Sequence, residues 1–246
     1  MGATARTGLA VVDAAGRLLA SASVRTDAEI MDFLAPYAAQ LAVVAVDAPL
    51  IVTNPTGQRP CERQVTAVSG RYGAGTHPAN TSNSLFDPPR GATLAALMGW
   101  SIDPAHRGQP GEAVCLEVYP HAAMVRLFSL PCTIPYKGKR GRDLPALKAA
   151  YEVLLDAMER HVPELDLKSS QRWAALRAAA AAAQRKAGLE RIEDEVDAIV
   201  CAHLAWLWGN RPGALQVYGD VSSGYIVAPP PPAHAARRPR GTKRPT

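Results

Sequence analysis

The chain has 246 residues, of which 48% are hydrophobic and 20% charged, a composition typical of a globular protein with a sizeable core. No apolar run approaches the roughly 18 residues of a membrane span, and the first residues lack the basic start and apolar stretch of a secretory signal. We therefore expect a cytoplasmic protein with no membrane partner. The four cysteines form no C-x-x-C pair, which argues against a zinc site, and the cytoplasmic location argues against disulfides.

The excess positive charge lies at the C-terminus. Lys and Arg total 27 against 22 acids, and five of the 27 fall in the last ten residues, so the remainder is formally neutral (22 against 22). The high pI is therefore not evidence of a nucleic-acid-binding domain. Four prolines at 229–232 precede the basic residues. This pattern predicts one domain over residues 1–228 and a disordered, proline-rich basic tail over residues 229–246.

The first elements of the domain are a hairpin, a helix and a strand. Residues 7–13 and 17–25 are apolar-rich segments that predict a β-hairpin. Thr26 and Glu29 have the spacing of a capping box, which indicates the start of a helix. The valine-rich run at 41–46 predicts a buried strand.

A long loop region follows that strand. From residue 48 to about residue 91 the chain is rich in Pro, Gly and Asn, with one short helix predicted at 61–68. Loops of this length inside a compact domain are usually functional or disordered. A second buried strand is predicted at 114–119.

The rest of the chain is mostly helical and ends in a short hairpin. Strands followed by strands alternating with helices predict an α/β layered domain. The predicted helices cover residues 121–128, 144–161, 170–187 and 190–208, and the hairpin strands cover residues 215–218 and 225–228.

Acidic side chains occur where a sheet or a core is expected. Asp47 follows a buried strand, at the edge where open α/β sheets bind ligands; a turn or cap aspartate before Pro49 is the alternative. Glu117 lies within the strand at 114–119, where glutamate is disfavoured. Its alternative is a solvent-facing or ion-paired glutamate.

The last long helix carries two further candidate acids. Asp197 shares a face with Val200 and Leu204, at intervals of three and four residues, and therefore points at the core. Such a carboxylate needs a cation or hydrogen-bond donors, and an ion pair would suffice. Asp194 lies one turn earlier, where the helix dipole alone also explains an acid. Together with Asp47 these side chains suit Mg²⁺ or Mn²⁺.

Candidate substrate-binding residues surround these acids. Arginines in the long loop region would clamp phosphate, although Arg63 equally fits a surface position on a short helix. His77 suits general acid or base chemistry or a structural role, and the basic run that begins at Lys137 suits backbone binding or a solvated loop. The candidates are Arg59, Arg63, Tyr72, His77, Lys137 and Lys139.

Several sequence blocks resemble one known family. VDAPL at 46–50, GQRPCER at 57–63, EVYPHA at 117–122, YKGKRGR at 136–142 and DEVDA at 194–198 resemble the family called domain of unknown function 429, whose members are predicted ribonuclease-H-like nucleases. The resemblance covers about residues 7–229.

The resemblance implies a fold, an activity and a set of site residues. It implies a ribonuclease-H-like mixed sheet flanked by helices, on which carboxylates hold two divalent metals and water attacks a phosphodiester. Carried over, Asp47 is the acid of the fourth strand, and Asp194 and Asp197 are the acids of the C-terminal helix. Glu117 belongs to a family block and is included among the catalytic candidates.

The sequence departs from the family pattern at its start. The first strand of the superfamily carries a metal-binding aspartate, and only residues 1–5 precede the segment that should follow that strand. We therefore expect either a start codon further upstream or a degenerate member. In the chain as written, residues 7–13 and 41–47 should flank a vacant central position of the sheet.

These features leave two hypotheses for function. The first is a divalent-metal-dependent nuclease with nucleic acid as its candidate partner, and protein partners unknown. The second is a non-catalytic ligand-binding or interaction protein on the same scaffold, since a fold does not imply a function.

Overall fold

The N-terminal hairpin forms as its sequence predicts. In a computed structural model, which describes residues 6–211 and 213–237, β1 (Thr7–Val12) pairs antiparallel with β2 (Leu18–Val24). The Asp13 carboxylate accepts hydrogen bonds from the backbone N–H groups of Ala15 and Arg17. Gly16 has φ of +89°, a conformation that favours glycine. The turn is therefore determined locally.

Two parallel strands form the second sheet. α1 (Asp27–Leu34) begins with the predicted capping box and precedes β3 (Val43–Val46), which pairs in parallel with β4 (Val114–Glu117). Asp47 and Glu117 therefore lie at the same edge of the sheet, because Val46 is the register partner of Glu117.

The C-terminal hairpin lies beside β4. β5 (Gln216–Asp220) pairs antiparallel with β6 (Gly224–Ala228), and a parallel bridge joins Val118 to Val227. The α/β class predicted from the sequence is confirmed.

Helices make up most of the remaining structure. The predicted helix at 144–161 is confirmed at both ends, and the others are shifted by a few residues. A helix at 90–97 was not predicted, because its short alanine-rich sequence follows two prolines and contains a glycine. The helices are α2 (Pro60–Ser69), α3 (Arg90–Leu97), α4 (Pro120–Leu127), α5 (Leu144–His161), α6 (Gln171–Ala182) and α7 (Lys186–Asn210).

α7 is the central helix of the fold. It packs against β1, β2 and β3 and also against α4, α5 and α6. Tyr151, Trp173 and Val196 are almost completely buried at the helix–helix contact. The acids on α7 are thereby brought close to the end of β3.

The contact between β1 and α7 is unusually close. A Cβ atom built on Gly8 would lie 1.7 Å from the carbonyl oxygen of Asp194, so the two backbones touch. Within the described residues no ladder joins β1 to β3, and α7 contacts both strands. The vacant strand position between them stays a prediction.

The first residues after β6 contact the domain. The hydroxyl of Tyr218 donates to the carbonyl of Pro229 at 3.1 Å, the hydroxyl of Tyr72 donates to the carbonyl of His234, and the ring of His234 bonds the carbonyl of Leu130 at 2.7 Å. The rest of the predicted tail, residues 238–246, lies outside the described residues. Within the described residues, none of the helices is both long and apolar enough to span a bilayer.

Candidate functional site

A polar cleft opens at the edge where β3 and β4 end. Its volume is about 430 Å³, which is in the range of ligand-binding pockets. Side chains from both strand ends, the loops that follow α2, the start of α4 and the loop before α5 line it. The charged and polar lining residues include Asp47, Arg59, Glu62, Thr76, His77, Glu117, Tyr119, His121, Lys137, Lys139 and Arg142.

The acidity of Asp47 is strongly altered by its position in this cleft. It directly follows β3 and is half-buried. Burial, together with the negative charge of Asp197, raises the pKa of Asp47 to about 7, and Lys137 opposes that rise. Asp47 is therefore partly protonated at neutral pH.

Asp197 is buried, as the helical spacing predicts. Asp197 is 7% exposed. One carboxylate oxygen, Oδ1, accepts from the Tyr136 hydroxyl at 2.6 Å, and the other, Oδ2, lies 2.7 Å from the Lys137 ammonium. Both oxygens of Asp197 are therefore engaged.

Lys137 lies within a group of acids. Besides Asp197, its Nζ lies 3.9 Å from Oε1 of Glu193. Burial would lower the pKa of Lys137, but the carboxylates of Asp197 and Asp47 raise it above its usual value. Glu193 has a pKa of about 7, because its burial raises the pKa more than the positive charge of Lys137 lowers it. The ammonium is therefore fully charged at neutral pH.

Glu117 belongs to a buried ion pair. Arg59 donates to its two oxygens at 2.9 and 2.5 Å, and the backbone N–H of Leu50 donates to Oε2 at 3.0 Å. Arg59 also pairs with Glu62 at 2.9 Å. Arg59 is 1% exposed and Glu117 is 4% exposed. The pair holds the loop after β3 in place, in agreement with the ion-paired alternative for Glu117.

Two histidines and a tyrosine also line the cleft. Burial and the nearby Lys137 lower the pKa of His121 to about 4, so this ring is neutral at pH 7. His77 is exposed at the rim. Burial and Asp47 raise the pKa of Tyr119 to about 12, and its hydroxyl donates to the carbonyl of Gly75 at 3.0 Å.

The cleft brings together some of the predicted site residues and not others. Asp47, Glu117, Arg59, His77, Lys137 and Lys139 line it, and Asp197 lies directly behind Lys137. Asp194 is half-buried on α7, and its charge acts on Asp47.

Two predicted substrate-binding residues lie elsewhere. Arg63 is exposed on α2, where its guanidinium donates to the carbonyl of Gln58 at 2.5 Å. Tyr72 is fully buried, and its hydroxyl is bonded to His234. Neither side chain is among those that line the cleft.

Other residues at the site were not among the predicted site residues. Tyr136 and Glu193 surround the Lys137–Asp197 pair, and the guanidinium of Arg142 donates to the carbonyl of Lys137 at 2.7 Å. The sequence signal was the YKGKRGR block at 136–142, which combines the tyrosine with the basic residues.

The acids do not fit a divalent ion in the arrangement that the structure shows. Among the residues described, no three His, Cys, Asp or Glu side chains are placed to hold a metal ion. Both oxygens of Asp197 are occupied by Tyr136 and Lys137, and those of Glu117 by Arg59. The expectation of Mg²⁺ or Mn²⁺ on Asp47, Asp194 and Asp197 stays a prediction.

Comparison with known proteins identifies one family. The model of a family described as "Protein of unknown function (DUF429)" matches residues 4–223. A search of curated proteins gave no match. A search of solved structures also gave no match.

Proposed function

The chain belongs to the DUF429 family, and from that premise we propose that it is a hydrolase that cleaves phosphodiesters of nucleic acid in the cleft at the ends of β3 and β4. The observation that carries the proposal is that Asp47, whose pKa is raised to about 7, lines the same cleft as three cationic side chains. Those cations are Lys137, Lys139 and Arg142.

The charges of the cleft suit a phosphate group. Lys139 is exposed at the rim, and Arg142 is half-buried beside the Lys137 backbone. Ammonium and guanidinium groups bind phosphate oxygens strongly. A bound phosphodiester would therefore be held between these cations and Asp47.

Asp47 has the acidity of a general base. A group with a pKa close to the working pH accepts a proton most effectively from an attacking water. As the water oxygen bonds to phosphorus, the ionised Asp47 would take its proton, and the Lys137 ammonium would stabilise the charge that develops on the phosphoryl oxygens. The P–O bond to the leaving sugar oxygen then breaks, and that oxygen takes a proton from solvent water. Each role uses a side chain that lines the cleft.

A ribonuclease-H-like arrangement of the sheet is part of the proposal. Its support is the parallel β3–β4 pair that ends in Asp47 and Glu117, with α7 and its acids packed beside β3. In that arrangement a further strand would lie between β1 and β3, each of which has a single partner among the described strands.

The test is cleavage of labelled RNA, DNA and RNA–DNA hybrid by the full chain, in buffers with Mg²⁺, Mn²⁺ or EDTA. Replacing Asp47 with Asn should lower the cleavage rate by about 10²–10⁴-fold, the usual contribution of a general base. Asp32→Asn is the matched control, because Asp32 is exposed on α1.

Cleavage that is lost in Asp47→Asn and kept in Asp32→Asn supports the proposal. Cleavage that survives Asp47→Asn, or its absence with all three substrates in all three buffers, would overturn it. The EDTA arm separately reports whether any activity needs a divalent ion.

A non-catalytic role on the same scaffold is the second candidate. The observation that favours it is that Arg59 and Lys137 already occupy the carboxylates of Glu117 and Asp197. On this reading the cleft binds a phosphate-bearing ligand without cleaving it. Stoichiometric binding of an oligonucleotide, recovered intact after incubation, would favour this role.

A further inference from the structure

The acids around Lys137 form a cluster with one cation inside it. Asp197 is in direct contact with the ammonium at 2.7 Å, and Glu193 lies at 3.9 Å. Asp47 and Asp194 contribute further negative charge, since both interact electrostatically with Lys137. Four carboxylates, three on α7 and one directly after β3, therefore act on a single lysine from the loop before α5.

The position of Lys137 is defined by bonds on both of its sides. Arg142 donates to its backbone carbonyl at 2.7 Å. The neighbouring Tyr136 is 1% exposed and donates to the other oxygen of Asp197. The Lys137 side chain is 27% exposed and that of Asp197 is 9% exposed. The ammonium is therefore held at the boundary between the cluster and the cleft.

We propose that the Lys137 ammonium is the resident cation of this cluster, and that it occupies the place of a divalent ion. A metal ion and the Lys137 ammonium would both need Oδ2 of Asp197. Two cations that share one oxygen lie close together, and their like charges repel. The wild-type chain therefore does not bind Mn²⁺ at Asp197, and a variant that lacks the Lys137 ammonium does. This inference does not depend on whether the cleft hydrolyses phosphodiesters.

The expected effect of removing the charge follows from the burial of Asp197. Lys137→Met keeps a similar stem but leaves a buried carboxylate without its cation, which is strongly destabilising. A divalent ion restores the balance of charge, and hard oxygen ligands suit Mn²⁺. Mn²⁺ should then raise the melting temperature of the variant by mass action.

The experiment measures Mn²⁺ binding by calorimetry and the melting temperature with and without Mn²⁺, on the full chain. Lys137→Met should bind one Mn²⁺ at least about tenfold more tightly than wild type, a difference of about 1.4 kcal/mol. Its melting temperature should rise with Mn²⁺ while that of wild type stays constant. Adding Asp197→Asn to Lys137→Met should abolish the binding.

The matched control is Lys139→Met, which removes an exposed lysine two residues away and should behave as wild type toward Mn²⁺. Lys137→Gln is the second variant, because its neutral amide still donates to Asp197 and preserves the fold if Lys137→Met does not. Equally tight binding of Mn²⁺ by wild type would overturn the proposal. So would the failure of both Lys137 variants to bind.

Discussion

Arg59 and Glu117 form a buried pair of opposite charges beside the cleft. A buried ion pair contributes little net stability when intact, because desolvation of both charges offsets their attraction. Removal of one partner has a different effect, since the other charge is left buried. Burial of Glu117 raises its pKa even with Arg59 in place, so its charge depends on that partner.

Arg59→Met should lower the free energy of unfolding by about 3–5 kcal/mol, the usual cost of breaking a buried pair. Urea denaturation at neutral pH measures the change. Arg63→Met, on the exposed side of α2, which begins one residue after Arg59, should change the free energy of unfolding by less than about 0.5 kcal/mol. The double variant Arg59→Met with Glu117→Leu should be more stable than Arg59→Met alone. Equal losses in Arg59→Met and Arg63→Met would contradict this account.

Sequence reasoning located the acids better than their partners. The burial of Asp197 was predictable because helical periodicity fixes which face of α7 points inward. Its partner Tyr136 lies 61 residues away in the sequence, and no local pattern encodes such a contact. The ion pair of Glu117 was foreseen as an alternative, but Arg59 was assigned to substrate rather than to Glu117.

The contact of β1 with α7 also joins residues that are far apart in the sequence, here as whole elements. Gly8 lies directly against the backbone of Asp194, where the nearest atom to an added Cβ would be a main-chain oxygen. Main-chain atoms cannot rotate away as a flexible side chain can. A larger residue at position 8 would separate the strand from the helix.

Gly8→Ala should therefore lower the free energy of unfolding by about 3 kcal/mol or more, in the range of overpacked cores. Thermal denaturation followed by circular dichroism measures it. Gly209→Ala on α7 is the control. The nearest atom to a Cβ added at Gly209 belongs to Val43 and lies 3.8 Å away, which is an ordinary contact. That change should be neutral or stabilising by up to about 1 kcal/mol. A stable Gly8→Ala variant would show that the helix and strand can separate without cost.

Elements with local signals were predicted well, and those without were not. The predicted bounds of α5 agree with the structure because Asp143 caps its first turn, accepting from the N–H of Ala146 at 2.9 Å. The capping box predicted the start of α1 for the same reason. α3 has no side-chain cap, and its formation depends on packing, for which Ala95 is fully buried.

At the scale of the whole molecule, the segment after β6 adds contacts that composition did not predict. Residues 229–237 begin with four prolines, yet Pro229 and His234 accept hydrogen bonds from the tyrosine hydroxyls of Tyr218 and Tyr72. The buried hydroxyl of Tyr72 would lose its partner without this segment. The chain from 229 to 237 therefore contributes to the stability of the domain.

A chain ending at residue 228 should be less stable than the full chain by about 2 kcal/mol. It loses four hydrogen bonds of roughly 1 kcal/mol each, among them the bond from the Arg237 N–H to the carbonyl of Pro131 at 2.9 Å, and the entropy of ordering the segment offsets part of that loss. A chain ending at residue 237 is the comparison. It keeps all four bonds, and its free energy of unfolding should lie within about 0.5 kcal/mol of that of the full chain. Equal stability of both shortened chains, measured by urea denaturation, would show that the segment is not part of the domain.

The position of α7 also determines when the domain can fold. Trp206 donates to the carbonyl of Ala14, 192 residues earlier, and Ser21 donates to Glu195, 174 residues later. Contacts of such sequence separation slow folding, because a long loop must close before they form. During synthesis the N-terminal hairpin leaves the ribosome long before the helix that covers it. Its apolar surface therefore stays exposed until α7 has been synthesised, and during that period chaperone binding and aggregation compete with folding.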